Sequence, residues 1–115
     1  MPKRGEVWLA NLNPRRGTVP GKTRPVLLIQ AQSLIDAGHP STLVIPLTTN
    51  LIDDAQPLRI RVRAGSKLRL DSDLLIDQLR AIDNKRLVEG PLVTLDHTLL
   101  TSVGNAIREV TDLLD

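Results

Sequence analysis

The chain has 115 residues, 41% of them hydrophobic, which suits one domain with a single buried core. It contains no Cys, excluding a disulfide framework, Cys-ligated zinc and thiol chemistry, and its one aromatic residue, Trp8, excludes a sheet that stacks bases on several rings. The net charge of +2 hides an asymmetry, with six Lys/Arg against Glu6 alone in residues 1 to 30 and five basic groups without an acid in residues 58 to 69.

Two basic regions separated by acidic ones predict a cationic face for a polyanion, with a solvated surface of no function as the plainer alternative. Met1-Pro2-Lys3-Arg4-Gly5 opens directly into a strand-like segment, and no apolar run approaches membrane-spanning length. We therefore expect a soluble, cytoplasmic protein with no membrane partner.

Glu6 to Leu12 reads as a first strand, bounded by Gly5 and by Asn13-Pro14. Asn13 to Thr23 is turn-rich and cationic, holding Pro14, Gly17, Pro20 and Gly21 with Arg15, Arg16 and Lys22. It reads equally as a soluble hairpin connection or as a basic loop that closes over a phosphate chain. Val26 to Ala31 is nearly all apolar, as a central strand would be. Pro25 forces the residue before it into extended geometry, so Arg24 stands at the mouth of that strand with a donor fork suited to a phosphate. Arg24 reads as well as a solvated strand-end charge or a salt-bridge partner.

Gln32 to Ala37 predicts one helical turn stopped by Gly38. Thr42 to Leu47 predicts a third strand, whose Pro46 implies an edge, a bulge or a strand end. Thr48-Thr49-Asn50 follows, short polar side chains that commonly cap local backbone groups. Leu58 to Arg63 alternates, with Leu58, Ile60 and Val62 inward and Arg59, Arg61 and Arg63 outward. Leu74 to Leu79 predicts another strand, interrupted by Asp77, whose carboxylate calls for a partner such as Arg80 or Arg24. Asp83 to Leu87 predicts a helical turn that ends before Gly90-Pro91.

From Thr94 the apolar period becomes helical, a stripe from Leu95 to Leu114 of about five turns with Thr94 as N-cap and Asp96 in the first turn. Trp8 reads as core or interface rather than as a stacking platform. The architecture is mainly β: a twisted antiparallel sheet of about five or six strands, open to closure as a barrel, with a C-terminal α-helix packed on it. Gly-rich phosphate loops, nucleophile elbows and metal-ligand clusters are missing from the sequence. His39 and His97 make at best a weak acid/base pair.

Lys3-Arg4-Gly5-Glu6-Val7-Trp8, Asn11-Leu12-Asn13-Pro14, Thr23-Arg24-Pro25-Val26-Leu27, Pro46-Leu47-Thr48-Thr49 and Asp77-Gln78-Leu79-Arg80-Ala81-Ile82-Asp83 occur in that order. Together they resemble the MazF/PemK toxins of type II toxin-antitoxin systems, over essentially the whole chain as a single domain, residues 1 to 115. The resemblance implies an SH3-like barrel, a homodimer and a ribosome-independent, metal-independent endoribonuclease that cuts single-stranded RNA at short sequences. It also implies inhibition by a cognate antitoxin with a disordered C-terminal segment. It places the catalytic arginine on Arg24 and the catalytic threonine on Thr48. Thr49, Asp77 and Thr18 become further catalytic or substrate-positioning candidates, and Arg15, Arg16, Lys22, Gln78 and Arg80 RNA-binding ones. No cofactor is implied, because the nucleophile is the RNA 2′-hydroxyl.

Two departures stand out. Val19 follows Gly17-Thr18 where relatives commonly carry Glu, which implies weakened cleavage, altered specificity or an attenuated toxin. Leu75 replaces the arginine that plasmid-borne relatives place two residues before the aspartate. The alternatives are a non-catalytic toxin or binding module on the same fold acting on a protein target such as gyrase, and a generic basic RNA binder.

Overall fold

The computed structural model describes residues 1–12 and 23–113. In chain order the elements are β1 (Glu6–Asn11), β2 (Thr23–Leu28), α1 (Gln32–Asp36), β3 (Ser41–Thr48), β4 (Arg59–Val62), β5 (Ser72–Leu75), β6 (Arg80–Asp83), β7 (Leu87–Thr94) and α2 (His97–Thr111). Short 3-10 turns lie at Ile76–Gln78 and Asn84–Arg86. The strands form one antiparallel sheet in the order β4-β5-β3-β2-β1-β7, with β6 also pairing β3. The Lys67 N–H donates to the Leu92 carbonyl at 2.9 Å, so the β4–β5 hairpin reaches back to β7 and brings the ends of the sheet together as a barrel. Among the described residues no helix is long and apolar enough to cross a membrane.

Strand alternation sorts the apolar residues into two clusters. Val7, Leu27, Ile45, Leu47, Ile60 and Leu74 point inward with Val103 and Ala106 of α2, forming the main core. Ala10, Val26, Leu28, Val44 and Ile82 form a second cluster on the other face, with Trp8 packed against it. The Trp8 ring lies over Gly90 so closely that a Cβ there has no room, and its Nε1 donates to Glu6 at 3.1 Å. This half-buried packing fits the core or interface role read for Trp8.

Several boundaries differ from the sequence reading, each for a local reason. β2 starts at Thr23, so Arg24 lies inside a strand and is paired opposite Ala10 rather than standing at its mouth. Pro46 occupies a central strand. β3 changes partner there, pairing β6 at residues 41 to 44 and β5 from Leu47, so the missing N–H falls in the gap between the two. Leu58 is exposed at 49% and precedes β4. The apolar run at 74 to 79 is a strand only to Leu75, and residues 80 to 83 and 87 to 94 are additional strands. Helix α2 is capped by Asp96, whose carboxylate accepts from the Leu99 N–H at 2.8 Å. Thr94 is therefore the end of β7, and Leu95 is buried ahead of the helix.

Candidate functional site

In an antiparallel ladder, directly opposed residues point to the same face of the sheet. Arg24 opposes Ala10, Arg80 opposes Val44, and both Thr48 and Arg61 oppose Asp73. Ala10 and Val44 belong to the second cluster, so Arg24, Thr48, Asp73, Arg61 and Arg80 all project from its side. The β2–β3 ladder ends at Val26–Pro46. Continued two residues further, that register sets Arg24 across from Thr48.

The arginines on this face differ in what holds them. The buried Asp73 carboxylate, 1% exposed, receives Arg61 Nε at 2.5 Å, Arg59 Nη1 at 3.3 Å and the Ile52 N–H at 2.9 Å. Arg61 also pairs with Asp53 at 2.8 Å, and Arg63 with Asp71 at 3.4 Å. Burial pushes the Asp73 carboxyl up, but the hydrogen bonds from Arg61, the Ile52 N–H and Arg59 outweigh it and hold the group below the usual carboxylate range. The same pairing raises the Arg61 guanidinium above its ordinary value. The arginine stripe of β4 is therefore committed to carboxylates, and the free cationic face expected from its alternation is largely neutralised. Arg24, by contrast, is exposed and makes no ion pair among the described residues.

The Asp73 cluster also secures the chain that follows Thr48. Arg59 Nη1 donates to the Asn50 carbonyl at 2.8 Å while Asp73 holds the Ile52 N–H, so the turn out of β3 is gripped at two points. Within it, the Asn50 N–H donates to Thr48 Oγ1 at 3.2 Å. That is the local cap anticipated for this stretch, and it leaves the Thr48 hydroxyl proton to serve as a donor. A cleft of about 650 Å³ opens beside the cluster, rimmed by Asp53 and Asp54.

The remaining candidates are distributed unevenly. Thr49 is exposed just beyond β3, at a second hollow. Asp77 and Gln78 are exposed on the 3-10 turn between β5 and β6, and among the described residues no ion pair joins Asp77 to Arg80 or Arg24. The partner expected for a buried Asp77 is thus not needed, because the chain leaves the core before reaching it. Arg15, Arg16, Thr18, Val19 and Lys22 lie outside the described residues. Leu75 is buried in β5 at 8% exposure. The residue that sequence reasoning missed is Asp73. Its signal was an acid in the strand next to a strand with an arginine at every second position. Among the described residues no three His, Asp or Glu side chains gather as a metal site.

Comparison with known proteins places the chain. Residues 3–111 match the family described as PemK-like, MazF-like toxin of type II toxin-antitoxin system. The Endoribonuclease MazF of Staphylococcus epidermidis is 34% identical over 111 residues, covering 93% of this chain and 88% of the relative. The Endoribonuclease MazF of Staphylococcus saprophyticus is 36% identical over 112 residues, with the same coverage. Among solved structures, Mycobacterium tuberculosis toxin MazF-mt6 superposes with a TM-score of 0.77 at 22% identity, over 96% of this chain and 98% of that one. A MazE-MazF structure from Deinococcus radiodurans gives 0.79 at 18% identity, over 98% and 97%. The two structural likenesses show a shared fold. Taken with the match over residues 3–111 and the two staphylococcal relatives, they show that the chain belongs to the PemK-like, MazF-like toxin family of type II toxin-antitoxin systems.

Proposed function

We propose that this chain is a single-domain, metal-independent endoribonuclease toxin that cuts single-stranded RNA at short sequences. Family membership and two relatives named as endoribonucleases support the activity in its general form. The chemistry is inferred from the site. The RNA 2′-hydroxyl attacks the adjacent phosphorus and the bond to the 5′-oxygen breaks, leaving a 2′,3′-cyclic phosphate and a 5′-hydroxyl. The nucleophile belongs to the substrate, so the protein's task is to orient the phosphate and to meet the charge that builds on it.

Arg24 supplies that charge. A guanidinium stays protonated near pH 7, so it acts by electrostatic stabilisation of the phosphorane-like transition state rather than by proton transfer. Thr48 donates its hydroxyl proton to a non-bridging phosphate oxygen, its own oxygen being turned toward the Asn50 N–H. Arg80 projects from the same face and extends the cationic path for the strand. The observation that carries this reading is the contrast between Arg24, exposed and unpaired among the described residues at the register of Thr48, and the three arginines of the β4 segment, each tied to an aspartate.

The toxin works as a homodimer in the cytoplasm and is silenced by an antitoxin whose acidic, disordered C-terminal segment folds over the surface that carries Arg24 and Arg80. The MazE-MazF complex among its structural relatives supports that partnership. Val19, in place of the glutamate common in relatives, lowers or redirects cleavage, and Val19→Glu is expected to change the rate. The test is to incubate the purified protein with a long single-stranded RNA and map the ends. Cyclic phosphates and 5′-hydroxyls, lost when a single 2′-deoxy nucleotide precedes the cut, support the reading. Salt-sensitive binding without cleavage contradicts it.

A further inference from the structure

A hollow of about 480 Å³ opens at the strand ends that carry Arg24 and Thr48, and it is lined by their chain neighbours Pro25 and Thr49. Pro25, Leu9 and Glu89 lie in register across β2, β1 and β7, so their side chains share the side of the sheet opposite Arg24. Two strand spacings separate Pro25 from Glu89, roughly 10 Å, about the reach of one nucleoside. Leu68 and Leu92 complete an aliphatic floor, and Leu70, 61% exposed, stands at the edge.

The charges around this hollow are uncommitted. Lys67, Arg69 and Glu89 are exposed and make no ion pair among the described residues, unlike the arginines of β4. The hairpin presenting the two cations is held in place. Gly65 and Leu68 exchange two backbone hydrogen bonds of 2.9 Å, Lys67 N–H reaches Leu92, and Ser72 Oγ donates to the Leu70 carbonyl at 3.1 Å. Among the described residues the hollow has apolar walls, one carboxylate and two cations, and it lies at the ends of the strands that carry Arg24 and Thr48, on the other side of the sheet from Arg24.

We propose that this hollow receives an unstacked nucleobase flanking the bond that is cut, with Glu89 accepting from its donor edge and Lys67 and Arg69 holding its phosphate. The assignment rests on the RNA-cleaving reading above and names a specificity subsite for it. With no aromatic ring on offer, the flat base lies between aliphatic side chains, and single-stranded RNA leaves its Watson–Crick edge free to be read. A carboxylate selects bases that carry adjacent donors. Guanine, with N1–H beside its amino group, fits best, and other amino-bearing bases fit in part. Uracil is rejected, because its single N3–H is flanked by two carbonyl oxygens that repel the carboxylate.

The test uses the full chain and a library of RNAs randomised around the cut, with cleavage ends sequenced. Glu89→Gln is expected to flatten the base preference at one position by on the order of tenfold, since an amide both donates and accepts. Lys67→Ala with Arg69→Ala is expected to weaken binding of an uncleavable RNA, 2′-deoxy at the cut, and to lower its salt slope by about one to two. All three side chains are exposed, so folding is not at stake. Cleavage by both variants with an unchanged preference profile and unchanged RNA affinity overturns the subsite and leaves the nuclease reading standing. A Leu70→Asp variant that splits a dimer while keeping the profile assigns the hollow to a subunit contact and overturns it too. Failure of the unaltered protein to cut any RNA overturns both readings.

Discussion

The Asn50 N–H donates to the Thr48 hydroxyl oxygen at 3.2 Å, which takes up one of that oxygen's two acceptor positions and leaves its proton uncommitted. A hydroxyl that already accepts a hydrogen bond from its own chain has its proton left to give to a substrate. Thr48→Ser keeps that donor and is expected to retain cleavage within about tenfold, whereas Thr48→Val removes it and is expected to lower the rate by on the order of 100-fold. Single-turnover cleavage of a defined RNA separates the two outcomes, and equal rates for the two variants would remove Thr48 from the chemistry.

Asp73 is expected to matter for folding and, through the Thr48 turn, for rate. Truncating it leaves Arg59 and Arg61 without their shared carboxylate and frees the Ile52 N–H. Breaking a buried pair costs about 3–5 kcal/mol, and the arginines' partial exposure to water favours the lower end. Asp73→Ala should therefore lose about 3 kcal/mol in urea unfolding. Asp73→Asn keeps an acceptor for Ile52 and should lose less.

The same carboxylate makes stability pH-dependent in a defined direction. Its folded pKa lies below the ordinary 3.8, so its contribution is complete above that value and is lost as pH falls through the lower folded one. Urea midpoints between about pH 6 and pH 2 should fall more steeply for the unaltered chain than for Asp73→Asn. Parallel curves would show that Asp73 is not the group responsible.

Helix α2 ends on Asp112, a non-glycine residue at φ 57° whose negative charge sits at the negative end of the helix dipole. Asp112→Gly relieves both and is expected to stabilise the fold by about 1 kcal/mol, read as a higher melting temperature with unchanged RNA cleavage.

Much of this was legible in the sequence, and the exceptions have physical causes. The apolar run from Val26 to Ala31 and the helical stripe from Leu95 to Leu114 each marked a real element, but the strand ends at Leu28 and the helix begins at His97. β7 was hidden because Gly90-Pro91 reads as a terminator, yet here the glycine makes room for the Trp8 ring. Pro46 suggested an edge because the change of partner along β3 is a property of the sheet, invisible in one strand. In the candidate site, Arg24 and Thr48 were proposed through their motifs, and continuing the β2–β3 register sets them across from each other. Asp77 drew attention as a carboxylate in an apolar run, while the acid that is buried is Asp73, four residues earlier. Telling them apart required knowing that β5 ends at Leu75 and lies beside the arginines of β4.

Whether Arg24 stabilises the charge on the scissile phosphate is decided by the cleavage rate of Arg24→Ala on a defined single-stranded RNA. Arg24 is exposed on β2, so the variant should keep its unfolding transition. Cleavage is expected to fall by on the order of 100- to 1,000-fold with that transition unchanged. A folded Arg24→Ala protein that cuts at close to the original rate would contradict that role.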